Sequence, residues 1–130
     1  MYIFGRDREY RPTLIFDMEK MTPLIESDPT LITAENINLC LVFLWNYLNK
    51  VMTLDGHIDQ WVGIFNFGQL GVTEMPREAI LSITRTCMDN FIYIMHKCFY
   101  LNMSWGQNLG FHTFKMFLEQ ETLDKTIVTR

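Results

Sequence analysis

The ten residues "IDQWVGIFNF", Ile58 to Phe67, decide the fold that the sequence predicts. Apolar side chains fill this stretch almost without a break, whereas a strand with one face in water alternates apolar and polar residues. Turn-forming stretches, "LDGH" before it and "GQLG" after it, limit it to the length of a strand. A strand of this kind is buried on both faces, and such strands belong to parallel sheets that helices cover.

Shorter β-type runs lie on either side of this strand. We expect strands at "TLIFD" (13–17), "CFYLN" (98–102) and "TIVT" (126–129). Pro12 lacks a backbone donor. We therefore expect it at the start of the first of these strands, or that strand on an edge of the sheet. The stretch 18–30, "MEKMTPLIESDPT", contains two prolines and is expected to be a loop that lies over apolar residues.

Three helical patterns separate the strands. Thr33 is placed to cap the first helix, which runs to Met52 and is apolar on so many sides that we expect it to be the most buried. The second helix has Pro76 in its first turn, and the third begins at Ser104 and ends near Gln120. The second helix carries one apolar stripe, formed by Ile80, Ile83, Cys87, Phe91, Ile94 and Met95.

This order of elements predicts the fold class. Strands and helices alternate along the chain, which is typical of an α/β fold with right-handed connections and a mainly parallel β-sheet covered by helices. A chain of 130 residues has the length of one domain, and the sequence shows no internal repeat. We therefore assign residues 1–130 to a single domain.

Composition and charge argue against several classes of function. A formal net charge of -4 opposes nucleic-acid binding, which needs a cationic surface. Cys40, Cys87 and Cys98 are odd in number and far apart, which is typical of free thiols in a reducing compartment and not of a metal site. No apolar run reaches the ~18 residues of a membrane span, and the N-terminus lacks a signal-peptide core. We expect a cytoplasmic protein, or one on the cytoplasmic face of a membrane, without a metal.

The motifs of the common catalytic sites are absent from the sequence. No serine lies in a G-x-S-x-G motif, and neither G-x-G-x-x-G nor G-x-x-x-x-G-K-[ST] occurs. The carboxylates Asp55, Asp59, Glu74 and Glu78 lie at expected loops and element ends, where such residues are usually solvated. We therefore expect no enzyme and no catalytic residues.

Large apolar side chains exceed what one helix-on-sheet core needs. Side chains alternate along a strand, so each of two strands presents a set of them on one face, and the third helix carries a second apolar stripe. These side chains belong to an ordinary core, to a protein interface, or to an apolar ligand cavity that they line. The residues of this apolar set are Trp61, Gly63, Phe65, Cys98, Tyr100, Asn102, Phe111 and Phe114.

Four stretches, in order along the chain, carry a family resemblance. Residues 5–12 are similar to a G-x-D-x-x-G-R-P strand start, and "WVGIFNF" is similar to a buried strand that usually ends in Asp, where Asn66 stands here. "CFYLNMSW" is similar to a strand that ends in Asn-Ala-Pro, with Asn102 retained, and "FKMFLEQETLDKTIV" to Lys-Pro-Phe-Leu followed by Thr-x-x-Lys-Ile. Nearly the whole chain thus resembles the CRAL-TRIO lipid-binding domain of the yeast phosphatidylinositol-transfer protein and of the tocopherol- and retinaldehyde-binding proteins.

The resemblance is to a divergent member of that family. Several residues of the family pattern are replaced in this chain. They are a turn glycine, a Pro-Glu pair, a second glycine and two prolines. The replacing residues are Tyr10, Ile92 with Tyr93, His96, Ser104 and Met116.

The resemblance implies two residues of a lipid head-group site. In phosphatidylinositol-transferring members the Thr and Lys of Thr-x-x-Lys bind the inositol-phosphate head group, and Thr122 and Lys125 stand in those places. An ammonium can meet a phosphodiester as a point charge, and a hydroxyl can orient it. The alternative is a surface lysine that caps the preceding helix. The acidic residue that completes the family's site is replaced by Tyr93.

The resemblance also implies a ligand and partners. The expected function is the binding, and the transfer between membranes, of a hydrophobic ligand in an apolar cavity, with a phospholipid such as phosphatidylinositol as the first candidate. Peripheral membrane contact is expected, and no cofactor other than a bound lipid. The alternative function is a degenerate domain that serves as a protein-interaction scaffold.

The resemblance covers roughly the first two thirds of the family's domain. The family's gating region would follow Arg130, so we expect a CRAL-TRIO-like fold without that region. Apolar surface would then be left for a partner, a membrane or a second copy in a homo-oligomer to cover.

Overall fold

A computed structural model describes residues 1–28, 30, 33–71, 81–82, 85–86, 89–90, 94–115 and 120–129; at Ile25, Ala34, Gly110 and residues 112–114 it describes the backbone alone. Within these ranges five strands form one sheet in chain order. The first pair is antiparallel and the other pairs are parallel, which confirms the predicted α/β fold with a mainly parallel sheet. The strands are β1 (Tyr2–Arg6), β2 (Pro12–Asp17), β3 (Trp61–Asn66), β4 (Met95–Leu101) and β5 (Thr126–Val128).

The register aligns the four parallel strands. Leu14, Gly63, Cys98 and Thr126 lie at one level across β2, β3, β4 and β5. The strands predicted at 58–67 and 98–102 are therefore neighbours in the sheet, as β3 and β4. A register shift between Trp61 and Val62 brings Met95 opposite Trp61. β4 begins at Met95, three residues earlier than predicted, so Met95 lies in a strand and not on the second helix.

The helices predicted to start at Thr33 and Ser104 begin where the sequence places them, whereas the helices at Met18–Ser27 and Gln120–Lys125 were not predicted. They are α1 (Met18–Ser27), α2 (Ala34–Tyr47), which continues as a π-helical turn (Leu48–Met52), α3 (Trp105–Phe114) and α4 (Gln120–Lys125). The described residues between 81 and 90 are also helical, whereas Pro76 and most of that helix's predicted stripe lie outside the described residues.

Two predicted N-terminal caps are confirmed by their hydrogen bonds. Thr33 Oγ1 accepts a bond of 3.2 Å from the Asn36 amide. At the start of α3, the Gln107 amide donates to Ser104 Oγ at 3.4 Å, and the Ser104 amide donates to Gln107 Oε1 at 2.8 Å. Each residue satisfies a backbone donor of the other, so these two amides at the helix start are paired.

Two local predictions are wrong. The stretch expected as a loop contains α1, because Asp17 caps a helix there and its Oδ1 accepts from the Lys20 amide at 3.4 Å. Pro23 lies inside this helix, where it removes a single backbone donor without ending the helix. The sequence analysis also missed β1, an edge strand whose pairing with β2 is irregular at Gly5.

The core lies on one face of the sheet, which we call the inner face. When parallel strands follow one another in chain order, right-handed connections place every connecting helix on the same face. The inner face carries Leu14, Phe16, Trp61, Phe65, Cys98 and Tyr100, and these share one buried cluster with Met21 of α1, Trp45 of α2 and Phe111 of α3. The opposite face, called the outer face, carries Thr13, Ile15, Val62, Ile64, Lys97, Phe99, Leu101 and Ile127.

The first long helix is not covered on most sides, contrary to prediction. One stripe of α2 and its π-helical turn is buried against the sheet, formed by Ile37, Leu41, Trp45 and Leu48. The other side of the helix is open to solvent: Phe43 is 71% exposed and Leu39 is 62% exposed. Since only one sheet face is available to this helix, its remaining apolar side chains have no sheet to meet.

Candidate functional site

Most of the predicted apolar set lies together on the inner face. Phe65 stacks on Phe16 and on Tyr100, with ring centroids 4.3 Å and 5.0 Å apart, and the Tyr100 ring meets the Phe111 ring at 4.8 Å. These rings therefore pack against one another between the sheet and the helices. That they line a ligand cavity stays a prediction. The side chain of Phe114 lies outside the described residues.

Gly63 belongs to this group because of a close approach. A Cβ atom added at Gly63 would lie 2.8 Å from Cζ3 of Trp61 and 3.5 Å from Sγ of Cys98. The Trp61 ring, whose centroid is 4.2 Å from that of Trp45, thus lies against the bare backbone of β3. Any larger residue at position 63 would push the Trp61 ring toward α2.

Asn102 is separated from the other members of the set. It is exposed, has a backbone φ of 59° at the end of β4, and donates from Nδ2 to Asn66 Oδ1 at 2.8 Å. The Gly68 amide donates to the same oxygen at 3.3 Å. The amide of Asn66, which stands where the family has Asp, therefore joins the carboxyl ends of β3 and β4.

The outer face is an apolar surface that the sequence analysis missed. Ile15, Ile64, Phe99 and Ile127 are half-buried there, and none of them belongs to the core cluster or to the side chains packed against it. On the edge strand, Phe4 continues this surface and is 72% exposed. Identifying this face requires the spatial order of the strands in addition to the alternation of side chains along each strand, and the sequence alone does not give that order.

The predicted head-group residues lie in α4. Thr122 is buried, and its Oγ1 has no hydrogen-bond partner among the described residues. Lys125 ends the helix, and its Nζ binds Glu121 Oε1 at 2.7 Å. A second lysine, Lys97 of β4, donates from Nζ to the Asp124 carbonyl at 3.0 Å. Lys97 was not predicted as a site residue, because the strand was predicted to begin at Cys98 and not at Met95.

A charged cluster lies around the turn between β1 and β2. Arg11 Nε binds Asp7 Oδ2 at 2.9 Å, and Arg11 Nη1 binds Glu9 Oε2 at 2.6 Å. Burial acts to raise the pKa of Asp7, but hydrogen bonds from Arg11 and from the Glu9 amide outweigh it, so that the pKa is lowered. The pKa of His96 is lowered, first by burial and then by the positive charge of Arg11, with a smaller contribution from Lys97.

The lowered pKa of His96 predicts how stability depends on pH. Because the unfolded chain binds this proton more tightly, stability should fall as pH drops below the unfolded value of about 6.5. Thermal unfolding from about pH 7.5 to about pH 5.5 should show that fall, and His96→Gln should reduce it. The matched control is His57→Gln, at an exposed histidine, which should leave the fall attributed to His96 in place. An unchanged slope for His96→Gln would contradict the prediction.

Metal clusters and membrane-spanning helices are both absent from the described parts of the chain. No group of three or more His, Cys, Asp or Glu side chains there could hold a metal ion. The helices in those parts are too short or too polar to cross a bilayer.

Comparison with known proteins identifies the family. No curated protein sequence matches the chain significantly. Among solved structures the chain is similar to the crystal structure of Sfh5, with a TM-score of 0.68 at 13% sequence identity, and the similarity covers 97% of this chain and 46% of that chain. The chain thus spans less than half the length of Sfh5. The sequence profile of the CRAL/TRIO domain matches residues 1–130. This match confirms the resemblance over its full extent, and the chain belongs to the CRAL/TRIO domain family.

Proposed function

We propose that the chain binds a hydrophobic small molecule, a lipid, on the outer face of its sheet and takes part in the transfer of that lipid between membranes. The observation that carries the proposal is the apolar outer face, where Ile64, Phe99 and Ile127 are half-buried and lie outside the core. Parallel sheets are normally covered on both faces. Acyl chains laid on this face would remove apolar area from water, at roughly 25 cal/mol per Å².

The inner-face aromatic residues are the less favourable place for the ligand. Phe65 is held between Phe16 and Tyr100, and Tyr100 is in turn in contact with Phe111. A ligand there would have to separate rings that are in van der Waals contact, and this would cost the stacking energy of each pair, about 0.5–1.5 kcal/mol. The outer face requires no such separation.

The polar end of the ligand is assigned to the amino edge of β4 and β5. The buried Thr122 hydroxyl lacks a partner among the described residues, and Lys125 precedes the first residue of β5. A phosphate diester could accept a hydrogen bond from the hydroxyl and a charge-assisted bond from one lysine of this edge, either Lys125 or the neighbouring Lys97, so we propose a phospholipid, with phosphatidylinositol as the first candidate. The chain would act by binding alone, in the cytoplasm and in transient contact with a membrane surface, and would catalyse no reaction.

A second candidate function rests on the exposed side of α2. Leu39, Val42, Phe43, Tyr47 and Val51 form an apolar stripe there that is open to solvent. Exposed apolar surface of this kind is typical of a site for another protein. The alternative is therefore a protein-interaction scaffold that binds its partner through α2.

Native mass spectrometry of protein purified from cells tests the proposal. We expect a population whose mass exceeds that of the chain by the mass of one lipid, and the added mass should disappear when the protein is denatured before desalting. Incubation with phosphatidylinositol vesicles should increase that population. An empty, stable oligomer that captures nothing from vesicles would contradict lipid binding and favour the scaffold.

A further inference from the structure

Two lysines lie side by side at the amino edge of the sheet. Cys98 and Thr126 are the first paired residues of β4 and β5, so Lys97 and Lys125 directly precede residues that face each other across the two strands. The hydrogen bond from Lys97 Nζ to the Asp124 carbonyl holds the Lys97 ammonium at the last turn of α4. Both cations are therefore fixed at the same corner of the sheet.

The two ammonium groups differ in their partners. Lys125 is bonded to the carboxylate of Glu121 at 2.7 Å, so much of its charge is neutralised. Lys97 has a single neutral acceptor, the Asp124 carbonyl, and no carboxylate partner in the described part of the chain. An ammonium has three donors, so Lys97 retains two for an incoming anion.

Lys97 also lies on the face that we assign to the ligand. Its register partner is Val62, and two residues further along β4 the partner of Phe99 is Ile64. Residues two apart share a face and are separated by about 6.8 Å along a strand. A phosphate at Lys97 would thus be followed along the strand by the apolar surface of Phe99 and Ile64, as acyl chains follow the phosphate in a phospholipid.

We propose that Lys97, and not Lys125, supplies the main cation that binds the head-group phosphate and so selects an anionic phospholipid. The inference rests on the proposed function. The chemistry recognised is a phosphate diester with a net negative charge. Lys125 keeps its ion pair with Glu121 and stabilises the end of α4.

Matched variants test this assignment. Lys97→Gln and Lys125→Gln each remove one charge and leave a side chain of moderate length. Capture from phosphatidylinositol vesicles should fall about tenfold or more for Lys97→Gln, since a charge-assisted hydrogen bond contributes roughly 1.5–3 kcal/mol. The same measurement for Lys125→Gln should change less than about threefold. Capture from phosphatidylcholine vesicles should fall less than capture from phosphatidylinositol vesicles, because the choline cation offsets the charge of the phosphate.

Further measurements distinguish the effect of the Lys97 charge from an effect on folding, and a lipid ligand from a free phosphate compound. Lys97→Arg should restore the preference for phosphatidylinositol, and raising salt from about 0.15 M to about 0.5 M should weaken that preference in the wild type. Deacylated glycerophosphoinositol should compete weakly, because it lacks the tails. Competition equal to that of the intact lipid would instead assign the site to free phosphate compounds and overturn the lipid selection.

The outcomes distinguish this inference from the proposed function. Equal losses for the two glutamine variants, or a larger loss for Lys125→Gln, would overturn the role of Lys97 and leave lipid binding intact. Equal capture of phosphatidylcholine and phosphatidylinositol by the wild type would also overturn the role of Lys97 and leave lipid binding intact. If the wild type captures neither lipid, the proposed function fails, and the role of Lys97 fails with it.

Discussion

Replacing Phe65 with alanine should unfold a large fraction of the protein. The Phe65 ring is 4% exposed and is stacked between Phe16 and Tyr100 at the centre of the inner face. Truncation of a buried phenylalanine costs about 3–5 kcal/mol, which is comparable to the whole stability of a marginal domain. Urea unfolding followed by circular dichroism should show a midpoint far below that of the wild type, or no folded baseline at all.

Phe99→Ala is the matched control for this expectation. The same side chain is removed from the adjacent strand β4, but Phe99 is half-buried on the outer face and lies outside the core cluster. Its loss should cost less than about half as much, because the space that it leaves stays open to solvent and forms no cavity. Equal destabilisation by the two variants would show that the outer face is packed as tightly as the inner face.

Local chemistry explains what the sequence could predict. The caps at Thr33 and Ser104 use side-chain oxygens that act within three residues, so they are visible in the sequence and are confirmed by their bonds. The apolar run of β3 is likewise visible in a short stretch of sequence. Asp17 is an equally good cap, but the loop prediction rested on the two prolines of the stretch 18–30, and one of them, Pro23, lies inside the helix that follows Asp17.

The difference between the two sheet faces could not be predicted in this way. Whether Phe65 or Phe99 lies in the core depends on which face receives the helices, and that depends on the spatial order of the strands. The sequence analysis grouped Trp61, Phe65 and Tyr100 correctly on one face but could not decide which face was filled. Lys97 was missed because the strand was predicted to begin at Cys98, whereas β4 begins at Met95 and Lys97 pairs with Val62.

Introducing a charge on the outer face should have the largest effect on function. A carboxylate in Phe99→Asp would lie where we place the acyl chains, and covering it without a hydrogen-bond partner would cost several kcal/mol. Capture of both phosphatidylinositol and phosphatidylcholine from vesicles should fall by about a hundredfold or more. Folding should persist, because Phe99 is outside the core cluster, and the thermal midpoint should be measured alongside capture.

Phe43→Asp supplies the control that separates the two candidate functions. Phe43 is 71% exposed on α2, so the same change in chemistry is made at a site distant from the sheet face. If the outer face binds lipid, Phe43→Asp should capture lipid as the wild type does, and only Phe99→Asp should fail. If the chain is instead a scaffold that uses α2, Phe43→Asp should lose a protein partner or an oligomer that Phe99→Asp retains. Loss of lipid capture in both variants would contradict a ligand site confined to the outer face, because the two side chains share no surface on which one ligand could lie.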